Sequence, residues 1–189
     1  MKKAWLWLLL PAALLLLILL HVHSLARLAP SEIGRQVPVL MYHAVGDDCW
    51  GEESLFVKPE ELEKQLQCLS ENGYETIWFE DLSHVEDFEK PVILTFDDGY
   101  DDNYTELFPL LQKYGMKATI FAIGVSFGKD HYKDTDYTIT PHFGADEAAE
   151  MTASGLISIQ SHTYDMHQWP PFEDGNAQVR ETLLPFDGE

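Results

Sequence analysis

Residues 92–104 read Val-Ile-Leu-Thr-Phe-Asp-Asp-Gly-Tyr-Asp-Asp-Asn-Tyr, and this stretch decides the fold that the sequence predicts. The run from Val92 to Phe96 is apolar, β-branched and aromatic, which is typical of a strand buried on both faces of a parallel sheet or barrel. Two carboxylates, Asp97 and Asp98, follow directly, and adjacent charges in a low-dielectric setting repel unless a cation or a shared proton relieves them. The stretch therefore predicts a catalytic strand end, although Asp-Gly is also a common turn dipeptide.

Composition and charge narrow the classes of partner. The chain has 189 residues, with 32 acidic against 12 basic residues and a formal net charge of -20. It therefore offers no basic surface to a nucleic-acid backbone, and we expect no nucleic-acid partner. The two cysteines, Cys49 and Cys68, lack the short spacing of a metal knuckle or a redox pair, and in an oxidising compartment they are able to form a disulfide.

The N-terminus predicts the compartment. Residues 1–3 are Met-Lys-Lys, and residues 4–20 are almost continuously apolar. This run is long for a signal-peptide core and slightly short for a full membrane span, so residues 1–25 are either a signal peptide or a membrane anchor that forms one hydrophobic helix. In both cases we expect an extracytoplasmic protein, secreted or membrane-anchored, with residues 26–36 as a tether and residues 37–189 as the domain.

Strands and helices alternate along the domain. The predicted strands cover residues 37–42, 74–79, 92–96, 118–123 and 156–160. The predicted helices cover residues 59–72, 103–114 and 146–154. Asn103 is the predicted N-cap of the second helix, and Pro109 is expected to kink it. The alternation predicts an α/β fold with parallel strands and crossover helices. Residues 126–144 show no periodicity and are predicted to form a long loop in which His131 and His142 are solvated.

Histidines and carboxylates follow several of the predicted strands. His162 and His167 are five residues apart, which on a continuous helix separates them by about 140°. If His162 ends a strand and the chain then turns, both imidazoles can point into one site. Because parallel strands end at one rim, we expect this pair to approach Asp97 and Asp98, with His43 nearby. Two histidines and a carboxylate form a common catalytic zinc shell, although such ligands also accept cobalt, manganese or iron.

Two of these motifs resemble those of a known family. Thr-Phe-Asp-Asp-Gly at residues 95–99 and His-Thr-x-x-x-His at residues 162–167 are similar to the first and second motifs of the polysaccharide deacetylase (NodB-homology) family. Pro-Val-Leu-Met-Tyr-His at residues 38–43 resembles the N-terminal histidine motif of the branch that acts on poly-N-acetylglucosamine. The resemblance implies a deformed (β/α) barrel that removes acetyl groups from cell-wall or extracellular polysaccharides with a bound divalent metal, usually zinc.

The resemblance also implies a role for each matching residue. The implied metal ligands are Asp98, His162 and His167. Thr163 would support these ligands. Asp97 would be the general base that takes a proton from the attacking water, and His43 would be the general acid for the departing amine.

The end of the chain departs from the family pattern. The arginine and Asp-Trp motifs of the family have no counterpart in residues 168–189. The domain is also shorter than the roughly 250 residues of a closed barrel, so we expect a barrel that is incomplete at its C-terminus. The alternative is a catalytically inactive, membrane-tethered remnant that binds carbohydrate, with Trp169 and Phe172 stacking on sugar rings, although these aromatic residues equally suit core packing.

Overall fold

The computed structural model describes residues 35–48, 53–136 and 138–165. The apolar segment at residues 1–25 and Cys49 lie outside this part of the chain. So do three residues singled out from the sequence: His167, Trp169 and Phe172. Within the described ranges, no helix is both long and apolar enough to span a membrane.

Seven strands and three α-helices form the described structure. The strands are β1 (Val39–Tyr42), β2 (Ala44–Val45), β3 (Phe56–Val57), β4 (Glu75–Thr76), β5 (Pro91–Asp98), β6 (Ala118–Ile123) and β7 (Ile157–Thr163). The α-helices are α1 (Pro59–Glu71), α2 (Phe108–Tyr114) and α3 (Ala145–Ala153). Short 3-10 helices span Glu53–Leu55 and Phe79–Asp87, and a π-helical segment, Asn103–Leu107, leads directly into α2.

The main sheet is parallel and has the order β1-β5-β6-β7. The strand β4 pairs with the first residues of β5, and β2 with β3 forms a separate parallel pair. Helical crossovers connect the last three strands of this sheet: α2 lies between β5 and β6, and α3 lies between β6 and β7. The predicted α/β alternation with parallel strands is therefore confirmed.

The core lies on the helix-covered face of this sheet. Alternate residues of β5 and β6 contribute to it, as expected from the two-residue period of a strand. The strand members are Val92, Leu94, Phe96, Ala118, Ile120 and Ala122. The helix members include Leu62, Leu66, Phe108, Leu111 and Met151. This packing fixes the position of the carboxyl end of β5, where the two adjacent aspartates lie.

The opposite face of the sheet is only partly covered. Val39 and Met41 of β1 are 49% and 65% exposed, and they share this face with buried Thr95 of β5. Within the described ranges the strands form an open sheet whose order runs from β1 to β7. The parallel α/β architecture is thus established.

Three local predictions are corrected by the structure. The strand predicted over residues 74–79 is limited to β4, because a 3-10 helix begins at Phe79. Asn103 is not a helix N-cap: it is fully buried and its side chain bonds to a distant carbonyl. Pro109 does not kink an α-helix but lies in the first turn of α2, where a missing N–H costs little, directly after the π-helical segment.

Candidate active site at the carboxyl rim of the sheet

Three strands deliver polar side chains to one rim of the sheet. His43 directly follows β1, Asp97 and Asp98 end β5, and His162 lies at the end of β7. Strand register aligns them, because Asp98 pairs with Ala122 of β6 and Ala122 pairs with Ser161 of β7. The structure therefore brings together residues that are far apart in the sequence, as the convergence of parallel strand ends requires.

Asp98 and His162 face each other across this rim. The Oδ1 atom of Asp98 lies 3.7 Å from Nε2 of His162, and the two side chains are 11% and 26% exposed. Two ligand atoms bound at about 2.1 Å to one tetrahedral ion are about 3.4 Å apart, so a carboxylate and an imidazole at this spacing fit two positions of a zinc shell. The described residues include no group of three metal-ligating side chains, and His167, the third implied ligand, lies outside them.

The backbone at the end of β5 adopts an unusual conformation. Asp98 has φ of 75° and Gly99 has φ of 79°, both in the left-handed region. For a non-glycine residue this conformation costs of order 1 kcal/mol or more, and such residues concentrate at functional sites. A Cβ atom on Gly99 would lie 2.9 Å from Cβ of Ala122, so only glycine fits where β5 exits against β6. The Asp-Gly pair is therefore a tight turn and a candidate site at once.

The second oxygen of Asp98 is occupied by a neighbour. The hydroxyl of Tyr100 donates a hydrogen bond to Oδ2 of Asp98 at 2.8 Å. Burial raises the pKa of Tyr100 above its usual value, and the negative charge of Asp98 adds to this effect. The hydroxyl consequently remains a donor at physiological pH.

His43 and Asp97 form a second facing pair at the same rim. Nε2 of His43 lies 3.9 Å from Oδ2 of Asp97, and the side chains are 17% and 15% exposed. Both groups are sheltered yet reachable from solvent, as groups that exchange protons with a bound substrate must be. A carboxylate and an imidazole therefore lie at the same rim as the Asp98 and His162 pair.

A buried polar pair holds the exit of β1. The side-chain amide of Asn103 donates to the carbonyl of His43 at 3.0 Å and to Oδ1 of Asp102 at 2.8 Å. The Asp102 carboxylate also accepts the main-chain N–H of Val45, and its burial raises its pKa to about 7. These contacts connect the segment after β5 to the strand end that carries His43.

His142 lies next to Tyr100, which corrects the prediction that it is solvated. Its side chain is buried, and its ring centroid lies 5.0 Å from that of Tyr100. Nδ1 lies 2.7 Å from the carbonyl oxygen of Thr140, so Nδ1 carries the proton because a carbonyl only accepts. Burial lowers the pKa of His142, against the opposing effects of the Thr140 carbonyl and the charge of Asp98. Burial thus favours the neutral form of the imidazole.

The chain beyond His162 is fixed by the long loop. Thr163, which the family resemblance implies as a support for the metal ligands, is the last residue of β7, and its main-chain carbonyl accepts the N–H of Gly124 at 2.8 Å. Two residues on, Asp165 accepts a hydrogen bond from the Tyr132 hydroxyl at 3.1 Å and forms an ion pair with Lys133 at 2.7 Å. Thr163 is therefore held by Gly124, directly after β6, and Asp165 is held by the long loop.

Sequence reasoning missed Tyr100, Asp102 and His142. Tyr100 and His142 meet through a tertiary contact, and Asp102 contacts the main chain of Val45, so none of the three leaves a periodic signal in the sequence. The only local signal is the position of Tyr100 two residues after Asp98. The tight turn at Gly99 brings the tyrosine back towards the strand end, where its hydroxyl reaches the Asp98 carboxylate. His142 lies in an aperiodic loop whose antiparallel pairing with Tyr100 is visible only in the structure.

Comparison with known proteins places this chain in a family. The family profile described as polysaccharide deacetylase matches residues 84–184, more than half of the chain, including Asp97, Asp98, His162 and His167. The chain belongs to the polysaccharide deacetylase family. This confirms the resemblance noted from the sequence motifs.

Individual polysaccharide deacetylases agree with this assignment. The Bacillus subtilis protein YxkH, named as a polysaccharide deacetylase, is 41% identical over 140 residues, which cover 71% of this chain and 45% of YxkH. The poly-beta-1,6-N-acetyl-D-glucosamine N-deacetylase of Escherichia coli is 30% identical and covers 68% of this chain and 20% of that protein. A crystal structure of a polysaccharide deacetylase from Bacillus cereus matches with 35% identity and a TM-score of 0.59, over 68% of this chain and 39% of that one. This chain therefore spans less than half the length of each.

Proposed function

We propose that this chain is a metal-dependent hydrolase that removes N-acetyl groups from an N-acetylglucosamine-containing cell-wall or extracellular polysaccharide. The observation that carries the proposal is the juxtaposition of two facing pairs at one rim, Asp98 with His162 and Asp97 with His43. The relative from Escherichia coli supports the substrate class, because its name specifies an N-deacetylase of poly-beta-1,6-N-acetyl-D-glucosamine.

The metal would be held by the carboxylate and imidazole that already face each other. Asp98 and His162 would bind it, with His167 as the third ligand and Thr163 as support. When bound, a divalent ion, with zinc as the expected one, lowers the pKa of a water molecule and polarises the acetyl carbonyl. Asp98 is suited to this role because the fold fixes its carboxylate through the turn at Gly99 and through Tyr100.

The other pair would move the protons. Asp97 takes a proton from the water whose oxygen bonds to the acetyl carbonyl carbon, and His43 gives a proton to the sugar nitrogen as the carbon–nitrogen bond breaks. The products are acetate and a free amine. The contact of 3.9 Å between Nε2 of His43 and Oδ2 of Asp97 supports this division of roles, because both side chains are within reach of one bound substrate.

The open sheet formed by the described strands leaves one of its faces only partly covered. We infer a deformed (β/α) barrel of the polysaccharide deacetylase type, since the open sheet leaves Val39 and Met41 of β1 exposed on one face. The location we propose is extracytoplasmic, secreted or anchored in the membrane through residues 1–25, where a polysaccharide substrate is accessible.

The test is release of acetate. The purified full-length chain, kept in detergent, is loaded with zinc and incubated with a β-1,6-linked N-acetylglucosamine oligomer. We expect acetate and a deacetylated product, and chelation should abolish both. Asp97→Asn should stop turnover while the protein still binds zinc, whereas Asp130→Asn, on an exposed carboxylate of the long loop, should leave turnover unchanged.

Two results contradict the proposal. A folded, zinc-loaded chain that releases no acetate lacks the activity. Glycan binding that survives both Asp97→Asn and chelation, without acetate release, favours the carbohydrate-binding alternative.

A further inference from the structure

The two oxygens of the Asp98 carboxylate have different surroundings. Oδ1 faces Nε2 of His162 at 3.7 Å, whereas Oδ2 accepts the Tyr100 hydroxyl at 2.8 Å. Since the Asp98 side chain is only 11% exposed, little solvent is available to compete for either oxygen. The carboxylate is therefore held in one orientation, with one oxygen towards the imidazole and the other towards the phenol.

Tyr100 is itself held by the long loop and not by the β5 strand alone. Tyr100 and His142 form an antiparallel bridge, and the N–H of Asp101 donates to the carbonyl of Pro141 at 2.9 Å. The Tyr100 ring packs on the buried His142 imidazole, with ring planes 47° apart. The direction of the hydroxyl is consequently set by residues outside the Thr-Phe-Asp-Asp-Gly motif.

We propose that Tyr100 is a positioning residue that reserves Oδ1 of Asp98 as the single carboxylate oxygen offered to the metal. The proposal rests on the metal site of the proposed function. A hydrogen bond to one oxygen of a ligating carboxylate disfavours binding through both oxygens and fixes the direction of the remaining one. Single-oxygen binding also leaves coordination positions for water and for the acetyl carbonyl, which a catalytic site requires.

The test compares Tyr100→Phe with Tyr104→Phe in the full-length chain. Both substitutions remove one phenolic hydroxyl, but the Tyr104 hydroxyl donates to the exposed Glu150 of α3 and not to Asp98. Tyr100→Phe retains the ring that packs on His142. Zinc affinity is measured by competition with a chromophoric chelator, and the visible absorption spectrum is recorded after cobalt replaces zinc.

For Tyr100→Phe we expect zinc to bind about tenfold more weakly, in the range found when a partner of a metal ligand is removed. We also expect weaker cobalt absorption, because a freed Oδ2 that joins Oδ1 raises the coordination number, and five-coordinate cobalt absorbs less strongly than four-coordinate cobalt. Zinc should also raise the Tm of Tyr100→Phe by less than it raises the Tm of the wild type. This increase is measured against the metal-free form of the same variant, so it reports zinc binding even if that form is less stable than the wild type.

An unchanged cobalt spectrum and zinc affinity in Tyr100→Phe, equal to those of Tyr104→Phe, overturn the proposal. A wild-type chain that binds neither ion overturns it together with the metal site. A wild-type chain that binds zinc but releases no acetate contradicts the proposed activity, while the comparison of the two tyrosine variants still decides the role of Tyr100.

Discussion

The side-chain amide of Asn103 donates a hydrogen bond to the main-chain carbonyl of His43, with 3.0 Å between nitrogen and oxygen, although the two residues are 60 positions apart in the sequence. Asn103 is fully buried and lies at the start of the π-helical segment that follows β5. This contact joins the strand end that bears Asp97 to the strand end that bears His43. The relative position of the two candidate proton-transfer groups therefore depends on a side chain that is itself outside the reaction.

Asn103→Ala should weaken both the fold and the site. Removal of the amide leaves the sheltered His43 carbonyl without this donor, which costs about 1–3 kcal/mol in the free energy of unfolding. Acetate release should fall further than stability alone explains, because His43 loses its fixed distance to Asp97. Urea unfolding and single-turnover rates measure the two effects.

Asn72→Ala is the matched control for Asn103→Ala. The Asn72 amide also donates to a main-chain carbonyl, that of Cys68 at 2.8 Å, but at the exposed C-terminal end of α1. The control should change stability by a few tenths of a kcal/mol and leave turnover intact. Equal effects of the two substitutions would argue against a specific role for Asn103.

Asp102 should make the stability of the fold depend on pH. Burial raises the pKa of its carboxyl group from about 4, the usual value for an aspartate, to about 7 in the folded state. A pKa that is higher in the folded than in the unfolded state means that the folded state binds the Asp102 proton more tightly. The protonated carboxyl group therefore makes its full contribution to the free energy of unfolding below about pH 4, and this contribution is lost as the pH rises through about 7. Asp102→Asn should remove this dependence and gain about 2–4 kcal/mol over the wild type between pH 4 and pH 8.

Urea unfolding at several pH values tests the Asp102 prediction. Asp130→Asn serves as a control of opposite sign, because the contact with His131 lowers the pKa of the exposed Asp130. Its stabilising effect is small and is lost as the pH falls through that lowered pKa. A constant stability difference between the wild type and Asp102→Asn across this pH range would contradict the prediction.

Much of the candidate site follows from local patterns combined with one topological rule. The apolar run before Asp97 predicts a buried strand, and the alternation of strands and helices predicts parallel pairing, which brings His43, Asp98 and His162 to one rim. Asn103 shows where this reasoning fails. Its position before a helix favours capping, but its side chain is buried and its amide N–H groups donate to Asp102 and to the His43 carbonyl 60 positions away, a tertiary contact about which local sequence carries no information.

Gly99→Ala should be more costly than the same change at Gly115. An added Cβ would lie 2.9 Å from Cβ of Ala122 and 3.1 Å from its Cα, at a φ of +79°. The left-handed backbone costs about 1–2 kcal/mol, and the clash with β6 adds about 1–3 kcal/mol. We expect a total loss of about 2–5 kcal/mol in urea unfolding, together with weaker zinc binding.

Gly115→Ala provides the comparison for Gly99→Ala. Gly115 ends α2 at a φ of +63°, but nothing lies within 4 Å of an added Cβ. Only the backbone cost of about 1–2 kcal/mol should appear there, with zinc binding unchanged. If both variants lose the same stability, the packing of Gly99 against β6 has no energetic importance.

Asp165 should control the order of the long loop. Its carboxylate is 13% exposed, accepts the hydroxyl of Tyr132 and pairs with Lys133. In Asp165→Ala the buried Tyr132 hydroxyl loses this acceptor, so we expect a loss of about 1–3 kcal/mol and faster amide hydrogen exchange across residues 126–144. Because His167 follows two residues later, zinc affinity should fall as well. Asp130→Ala, which removes an exposed carboxylate from the same loop, should change neither the free energy of unfolding nor the exchange rates detectably. Equal exchange rates in Asp165→Ala and Asp130→Ala would show that Asp165 does not anchor the loop.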